Sequence, residues 1–321
     1  MTQTVAVVDT VKYDAQIAHE VLGDVAEVRT IDATTVDGVV AAAGDADALI
    51  PWHIPLDADV LDRFESLEII GVAGTGIGHV DLAAAAEREI TVVNAPTYAV
   101  EEVSTHAMAL LLACVRSLPA YDAAVREGVW DRGPGEPIRR LRGRTLGLLA
   151  FGNIARRTAE KAQAFGLDVV AYDPYVDAET FAAAGVTPVS FGDLLAGADL
   201  FSLHAPTTSD TTGLLDDDAF AAMRNGVILV NTGRGGVVRE AALVDALEDG
   251  TVARAGLDVF ESEPLVDSPL TDRDDVILSP HVAWYSEDSR AEVIRSVATD
   301  IRRVITGEAP TGGVRPDTEW A

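Results

Sequence analysis

The apolar positions of this chain fall into short continuous runs separated by amphipathic or alanine-rich stretches. In the first part of the chain, these runs predict strands at residues 5–8, 26–30, 46–50, 67–73 and 91–94. A second series predicts strands at residues 146–151, 168–172, 187–189, 200–204, 227–231, 255–259 and 276–278. Runs rich in Val and Ile that alternate with helical stretches are typical of parallel strands covered on both faces. The pattern therefore predicts an α/β fold with two doubly wound parallel-sheet domains.

The segments between the two series indicate where the domains meet. Residues 100–115 predict a long helix with an apolar face, which fits a connection between domains and also a dimer interface. The Gly-, Pro- and Arg-rich residues 128–144 predict a loop. We expect one domain to comprise residues 1–98 and 286–321 and the other to comprise residues 99–285, with a cleft between them.

Composition limits the classes of partner. The chain has 321 residues and a net charge of −28, from 52 acidic and 24 basic residues, so nucleic acid is not expected as a partner. Such an acidic excess resembles proteins of salt-accumulating halophiles; an ordinary acidic cytosolic enzyme is the alternative. The single cysteine, Cys114, cannot form a disulfide within the chain, which fits a reducing interior. With no predicted membrane segment or signal peptide, we expect a cytoplasmic protein.

A dinucleotide-binding turn is predicted in the sequence GLLAFGNIARR, residues 147–157. Ala150, Gly152 and Ala155 stand at the three glycine positions of the G-x-G-x-x-G fingerprint. Gly152 would let the backbone approach a pyrophosphate, and the N–H groups of Asn153 and Ile154 would meet it at a helix N-terminus. Asp173 ends the next predicted strand, about 20 positions on, where an acidic residue bonds the ribose hydroxyls and favours NAD over NADP. A turn or helix-cap role for Asp173 is the alternative.

Three residues with complementary chemistry follow three successive predicted strands: Arg234 in NTGRGG, Glu263 in GLDVFESEP and His281 in SPHVAWYS. Ligands of open parallel sheets bind beyond the carboxyl ends of the strands. An arginine fork there would bind a carboxylate, and a histidine would move a proton that a nearby carboxylate stabilises. This set suits the reduction of a 2-keto acid. The residues alone do not choose Glu263 over Asp258 or Glu261, and no metal site is predicted.

Five stretches of the chain resemble, in order and spacing, the motifs of the D-2-hydroxyacid dehydrogenases, and the resemblance covers about residues 49–307. The stretches are GLLAFGNIARR with VVAYDPY, LHAPTTSDTTGLL, NTGRGGVV, GLDVFESEP and SPHVAWYSE. PHVAWYSE followed by IRRVITG most resembles the C-terminal-binding-protein branch, which holds NAD(H)-binding transcriptional corepressors and prokaryotic dehydrogenases. The resemblance implies a flavodoxin-like substrate domain, a Rossmann domain with NAD as cofactor, and a homodimer.

The same resemblance implies residue roles. Arg234 would bind the substrate carboxylate and carbonyl, His281 would be the acid/base, and Glu263 would be its carboxylate partner. Asp258 would orient the nicotinamide amide, and the loops around the cofactor would contribute His204, Ala205, Pro206, Thr211, Thr232 and Gly233. The backbone N–H groups of Thr75 and Gly76 would hold the substrate carboxylate. Trp284 would pack on the substrate, or else lie in the core at the domain boundary, and His53 could line the cleft from the other domain.

The implied function is NAD-dependent interconversion of a 2-keto acid and a D-2-hydroxy acid. The chain departs from the family pattern at Ala150 and Ala155, at Gly78 and His79, and at Gly233, where alanine is common. One alternative is an NAD(H)-sensing binding module with little turnover. Another is a phosphoglycerate- or hydroxypyruvate-type dehydrogenase, although the substrate domain has few basic residues for a phosphate and we expect no C-terminal regulatory domain.

Overall fold

A computed structural model describes residues 2–9, 14–52 and 54–316 of the chain, so the expectation for His53 lies outside the described residues. The chain divides into two compact units: Met1–Ala99 with Tyr285–Ala321, and Val100–Trp284. The domain boundaries expected from the sequence differ from these by one residue at each junction.

The strands follow the apolar runs closely. They are β1 Gln3–Val8, β2 Ala26–Ile31, β3 Ala48–Ile50, β4 Ile69–Val72, β5 Thr91–Asn94, β6 Thr145–Leu149, β7 Asp168–Tyr172, β8 Thr187–Pro188, β9 Leu200–Leu203, β10 Val227–Asn231, β11 Val252–Leu257, β12 Val276–Leu278 and β13 Gly313–Val314. The helices are α1 Asp14–Leu22, α2 Val36–Ala43, α3 Ala58–Leu61, α4 Leu82–Glu87, α5 Val100–Arg116, α6 Leu118–Arg126, α7 Asn153–Ala164, α8 Ala178–Ala183, α9 Phe191–Gly197, α10 Asp217–Ala221, α11 Glu240–Glu248 and α12 Glu287–Ile305.

The first unit contains a six-stranded sheet in the order β13-β5-β4-β3-β1-β2. All neighbouring strands are parallel except the short β13, which pairs antiparallel with β5. Leaving β13 aside, this is the flavodoxin-like order. Buried apolar side chains cover both faces of the sheet, with α12 contributing to one of them. The expected flavodoxin-like fold is confirmed for this unit.

The second unit contains a seven-stranded, fully parallel sheet in the order β12-β11-β10-β9-β6-β7-β8. Counted from β6, this is the Rossmann order, with one further strand at the β12 edge. The strand order reverses between β6 and β9, because the chain first builds outwards from β6 to β8 and then from β9 to β12 on the other side, and ligands of such sheets bind at this switch point. Two buried apolar clusters, one on each face, hold the helices against the sheet. The predicted Rossmann domain is confirmed.

Some of the acidic residues cap the N-termini of helices. The side chains of Asp57, Asp81, Asp177 and Asp216 each accept a hydrogen bond from a backbone N–H in the first turn of the helix that follows. A carboxylate at this position satisfies an N–H that the helix leaves unpaired and also opposes the helix dipole. These aspartates therefore shape the fold as well as the net charge.

Some elements depart from the sequence prediction. The helix α6 was not predicted, and a short 3₁₀ turn at Gly133–Gly135 interrupts the expected loop. The strand β11 ends at Leu257, two residues before the predicted end. The next residue, Asp258, bonds through its carboxylate to the backbone N–H groups of Val282 and Ala283. In the described part of the chain no single helix is long and apolar enough to cross a membrane; α5 and α6, bent by 60°, pass that test only as a pair.

Candidate active site

The predicted functional residues of the second unit lie beyond the carboxyl ends of neighbouring strands. Gly152 follows β6 and Asp173 follows β7, on one side of the switch point. On the other side, His204 follows β9, Thr232 follows β10 and Asp258 follows β11. The loop that carries His281 follows β12. Because all these strands are parallel, the segments share one edge of the sheet.

The turn after β6 has the shape of a dinucleotide-binding turn with alanine at two of its three key positions. Ala150 has φ +71°, the left-handed conformation that glycine adopts without strain. Gly152 is the N-cap residue directly before α7 and makes no side-chain capping bond. A Cβ added to it would have no neighbour within 4 Å. Ala155 is fully buried within α7. The first N–H groups of α7, those of Asn153 and Ile154 among them, are therefore presented over open space, which suits a pyrophosphate.

Asp173 is held in place by the backbone of the same turn. Its Oδ2 accepts a hydrogen bond from the Phe151 N–H at 2.8 Å, and its Oδ1 accepts one from the Tyr175 N–H at 3.0 Å. Each carboxylate oxygen retains a lone pair for a ribose hydroxyl. The residue is thus anchored beside the turn, and its charge would repel a 2′-phosphate. The bond from the Tyr175 N–H is also a turn contact, so Asp173 has the turn role that the sequence left open and is at the same time placed for a ribose.

The loops after β9 and β10 meet around two buried polar atoms. Nδ1 of His204 and Oγ1 of Thr232 have no hydrogen-bond partner among the described residues, which is costly unless a ligand supplies one. Burial lowers the pKa of His204 to about 4, so this imidazole is neutral at pH 7. A Cβ on Gly233 would lie 3.1–3.2 Å from backbone atoms of His204 and Ala205, so the two loops pack closely here and an alanine would require that backbone to move by a few tenths of an ångström.

Two further residues of the predicted cofactor loop have local roles. Thr211 donates from its hydroxyl to the Pro206 carbonyl at 2.6 Å and accepts from the Thr208 N–H at 2.8 Å. These bonds fold the segment after His204 into a compact turn. Taken together, the open α7 N-terminus, the anchored Asp173 and the two unpaired polar atoms fit a bound dinucleotide.

His281 and Glu263 form a hydrogen-bonded pair. Nδ1 of His281 lies 2.8 Å from Oε2 of Glu263, and the side chains are 44% and 35% exposed. Glu263 is itself fixed, because its Oε1 accepts from the Phe260 N–H at 3.0 Å. Among the described residues this is the ring's only side-chain hydrogen bond, so Nε2 is the nitrogen that can meet a substrate. Of the three acids in this turn, the structure places Glu263 against the histidine.

Asp258 organises the loop that carries His281. Its carboxylate, 1% exposed, accepts from the backbone N–H groups of Val282 and Ala283 at 3.0 and 2.8 Å, and its carbonyl accepts from the His281 N–H at 2.8 Å. His281 has φ +54°, a strained conformation for a residue with a Cβ. Asp258 thus holds the backbone on both sides of the strained residue, while its expected contact with the nicotinamide amide stays a prediction.

Arg234 lies in a loop that touches the Glu263 loop. Asn231 donates from its side chain to the Arg234 carbonyl at 3.1 Å, and Arg234 Nη1 donates to the Gly233 carbonyl at 2.8 Å. A Cβ on Gly235 would lie 1.8 Å from the Phe260 carbonyl oxygen, so only glycine allows this approach. The two loops that supply the candidate arginine and glutamate are therefore packed directly together.

The predicted substrate-binding residues other than Arg234 are Thr75 and Gly76 in the first unit and Trp284 in the second. In the first unit, Thr75 is anchored to β5: its hydroxyl donates to the Ala95 carbonyl at 3.3 Å, and its carbonyl accepts from Asn94 at 2.8 Å. The N–H groups of Thr75 and Gly76 donate to no other described residue. Trp284 is half-buried at the end of the second unit. Among the described residues, no group of acidic, histidine or cysteine side chains could hold a metal ion.

Two residues that the sequence analysis did not single out bond to the segments around His281. Nε2 of His106, on α5, lies 2.9 Å from Oγ of Ser279, which in turn donates to Oδ1 of Asp258 at 2.6 Å. The separation of 173 positions between His106 and Ser279 left no local signal for this contact. The only available signal was the position of Ser279, directly after a predicted strand and two residues before His281.

The fold and this edge define the class of an NAD-binding dehydrogenase. The chain belongs to the D-isomer specific 2-hydroxyacid dehydrogenases, whose NAD-binding domain model matches residues 108–283. It is 43% identical over 288 residues to the D-3-phosphoglycerate dehydrogenase of Mycobacterium tuberculosis, covering 89% of this chain and 54% of that protein. The chain thus spans about half the length of the curated relatives that it matches. NAD as the cofactor of this family is confirmed.

Solved structures agree over nearly the whole chain. A protein from Thermus thermophilus has a TM-score of 0.88 at 32% identity, covering 97% of this chain and 100% of that one. The D-lactate dehydrogenase of Aquifex aeolicus, solved with NAD and lactic acid, has a TM-score of 0.83 at 26% identity, covering 95% and 96% of the two chains. The predicted family is confirmed, and the branch within it is not decided by these likenesses.

Proposed function

We propose that this protein interconverts a 2-keto acid and a D-2-hydroxy acid with NAD(H). The observation that carries the proposal is the His281–Glu263 pair at 2.8 Å, in a loop packed beside the one that holds Arg234. A dinucleotide site on the same sheet edge supports it. The family's name describes this reaction.

In the reducing direction, each residue has one task. Arg234 binds the substrate carboxylate and stabilises the negative charge that develops on the carbonyl oxygen, a role often worth several kcal/mol. NADH, when bound, supplies the hydride that forms the new C–H bond. His281 gives the proton on Nε2 to the carbonyl oxygen, which becomes the hydroxyl, and Glu263 on Nδ1 holds the ring in orientation and stabilises its charged form.

The test replaces His281 without disturbing its backbone. Asn tolerates the left-handed conformation, so His281→Asn removes the acid/base group at little conformational cost, whereas Ala would add strain. We expect a loss of at least about 10²-fold in turnover, the lower end for general acid–base catalysis, with NADH affinity unchanged. NADH absorbance would follow turnover, and fluorescence titration would follow binding. Turnover close to wild type would exclude the assignment.

A second candidate concerns the substrate. The relatives are named D-3-phosphoglycerate dehydrogenases, and 3-phosphoglycerate is itself a 2-hydroxy acid. Its phosphate would need cations, yet Arg29, Arg63 and Arg88 of the first unit already pair with aspartates. A panel of glyoxylate, pyruvate and hydroxypyruvate with NADH, and of 3-phosphoglycerate with NAD, would decide. NADH binding without turnover on any of them would instead favour the sensing module of the corepressor type.

Adaptation to high salt belongs to the same proposal. The net charge of −28 makes the folded chain repel itself, and salt shortens the Debye length from about 30 Å at ~0.01 M to about 3 Å at ~1 M. We therefore expect a higher melting temperature in multimolar KCl than in dilute buffer. Equal melting temperatures would exclude this adaptation, and the panel should be run in both.

We also propose a homodimer. Most apolar residues of α5 are buried, whereas α6 and the residues after it expose Leu118, Val125, Val129 and Trp130, the last with 91% of its surface. Exposed apolar surface of this kind marks association sites. Trp130→Ser should shift sedimentation from dimer towards monomer, with Phe165→Ser, another exposed aromatic, as the control. A wild-type monomer would exclude the dimer.

A further inference from the structure

A chain of hydrogen bonds runs from α5 to the loop that carries His281. It begins at His106, 27% exposed, whose Nε2 lies 2.9 Å from the Ser279 hydroxyl. Ser279 donates to Oδ1 of Asp258 at 2.6 Å. None of the steps of the proposed reaction uses His106 or Ser279. All three residues belong to the second unit.

The direction of these bonds follows from counting protons. A serine hydroxyl has one proton, and an ionised carboxylate can only accept. Because Ser279 gives its proton to Asp258, it can only accept from His106, and Nε2 of His106 must therefore carry a proton. The order His106 to Ser279 to Asp258 is fixed by chemistry, and it fixes the rotamer of Ser279.

The far end of this chain is the backbone of His281. Oδ1 of Asp258, which receives the Ser279 proton, also accepts from the Val282 N–H, and Oδ2 accepts from the Ala283 N–H. The Asp258 carbonyl accepts from the His281 N–H. Turning the carboxylate would release two of these bonds, and the left-handed backbone of His281 would then relax. Relaxation would move the ring out of its 2.8 Å contact with Glu263.

We infer that His106 is a positioning residue which, through Ser279 and Asp258, holds His281 in register with Glu263. The competing explanation is that His106 merely fastens α5 to the sheet and has no influence on the imidazole of His281. The kinetic part of the inference rests on the proposed function. The structural part, the orientation of His281, does not.

The experiment compares variants that keep or remove each hydrogen bond. His106→Leu removes the donor, His106→Gln retains an N–H near the position of Nε2, and Ser279→Ala interrupts the chain with the smallest change of volume. His19→Leu, on α1 in the first unit, is the matched control for replacing a helical histidine. Circular dichroism establishes that each variant is folded, and Ser279→Ala serves if His106→Leu is not.

Two readouts separate positioning from simple structural support. We expect His106→Leu and Ser279→Ala to lower kcat by about 10- to 100-fold, the usual effect of misplacing a catalytic group, with KM and NADH affinity little changed. His106→Gln should restore turnover, and His19→Leu should resemble wild type. The ¹⁵N-histidine NMR spectra are recorded at a pH high enough to remove the Nε2 proton that His281 donates in the reaction, and His281 is assigned through His281→Asn. Under these conditions the wild type should show one neutral tautomer, protonated at Nδ1, and Ser279→Ala should show a mixture.

Several outcomes would overturn the inference. An unchanged His281 tautomer in Ser279→Ala would do so directly, as would unchanged kcat in a folded His106→Leu. A parallel loss of NADH affinity and kcat would place the network in support of the cofactor site instead. If the wild type turns over no substrate, the proposed function fails and the NMR result alone decides whether His281 is positioned in this way.

Discussion

Replacing Ala150 by glycine tests whether the dinucleotide-binding turn carries backbone strain. Its φ of +71° costs a residue with a Cβ about 1–2 kcal/mol. Glycine removes that cost but loses about 0.4–1 kcal/mol through the entropy of the unfolded chain. It also loses the packing of a half-buried methyl, about 0.4 kcal/mol, half the usual value for a buried CH₂. We therefore expect Ala150→Gly to be neutral or to stabilise the protein by up to about 1 kcal/mol.

Ala155 provides the matched control, because it is the other alanine at a glycine position of the same fingerprint. It lies within α7 and is fully buried. Ala155→Gly should lose about 0.5–1 kcal/mol of helix propensity and about 0.8 kcal/mol of methyl burial, a total of about 1.5 kcal/mol. Urea unfolding of both variants, compared at equal m-values, measures the difference. If Ala150→Gly is destabilised as much as Ala155→Gly, the strain at Ala150 does not exist.

Three further predictions follow from single residues. Gly152→Ala should leave the free energy of unfolding unchanged, because the φ of Gly152 is −73° and the added Cβ meets open space. The same Cβ should weaken NADH binding, and an unchanged affinity in a titration would place the pyrophosphate elsewhere. Burial raises the pKa of Cys114 from 9.0 to about 12, so thiol reagents should react about 10³-fold more slowly with native than with unfolded protein, and equal rates would contradict this. Hydrogen bonds from Arg157 and Lys161 lower the pKa of Glu101 to about 2, so its stabilising contribution is present above the unfolded value of 4.5 and is lost as the pH falls towards 2. Glu101→Gln should therefore lower stability at pH 7 in low salt and make no difference near pH 2, and an equal loss at both pH values would refute the assignment.

The fold was predictable because its strands are buried on both faces and leave uninterrupted apolar runs. The strand orders then follow from the connections, since a parallel sheet with covered faces allows few topologies. What escaped prediction has a weaker local signal. The helix α6 begins at a serine in a left-handed conformation, directly after α5, without a side-chain cap to mark its start. The strand β13 is two residues long and pairs with β5 across more than 200 positions.

The candidate site divides in the same way. Arg234 and His281 could be nominated from their chemistry and from the strands before them, and Asp173 from its distance along the chain to Gly152. Choosing Glu263 among three acids required either the family resemblance or the structure, in which it reaches Nδ1 of His281. Ala150 occupies the first glycine position of the fingerprint, where a tight turn is expected, and it adopts the positive φ although the sequence has alanine there.

Two of the described non-glycine residues with positive φ, Ala150 and His281, lie at strand ends of the same sheet edge. Strain of this kind persists only where surrounding contacts determine the backbone completely. At His281 those contacts are visible: Asp258 bonds the N–H groups of three successive residues, beginning with His281 itself. In this conformation Nδ1 of the His281 ring lies 2.8 Å from Oε2 of Glu263. Under the proposed function and the positioning inferred above, this strain is the cost of pre-organising a proton donor, because the bonds that sustain it would keep His281 against Glu263 before any substrate arrives.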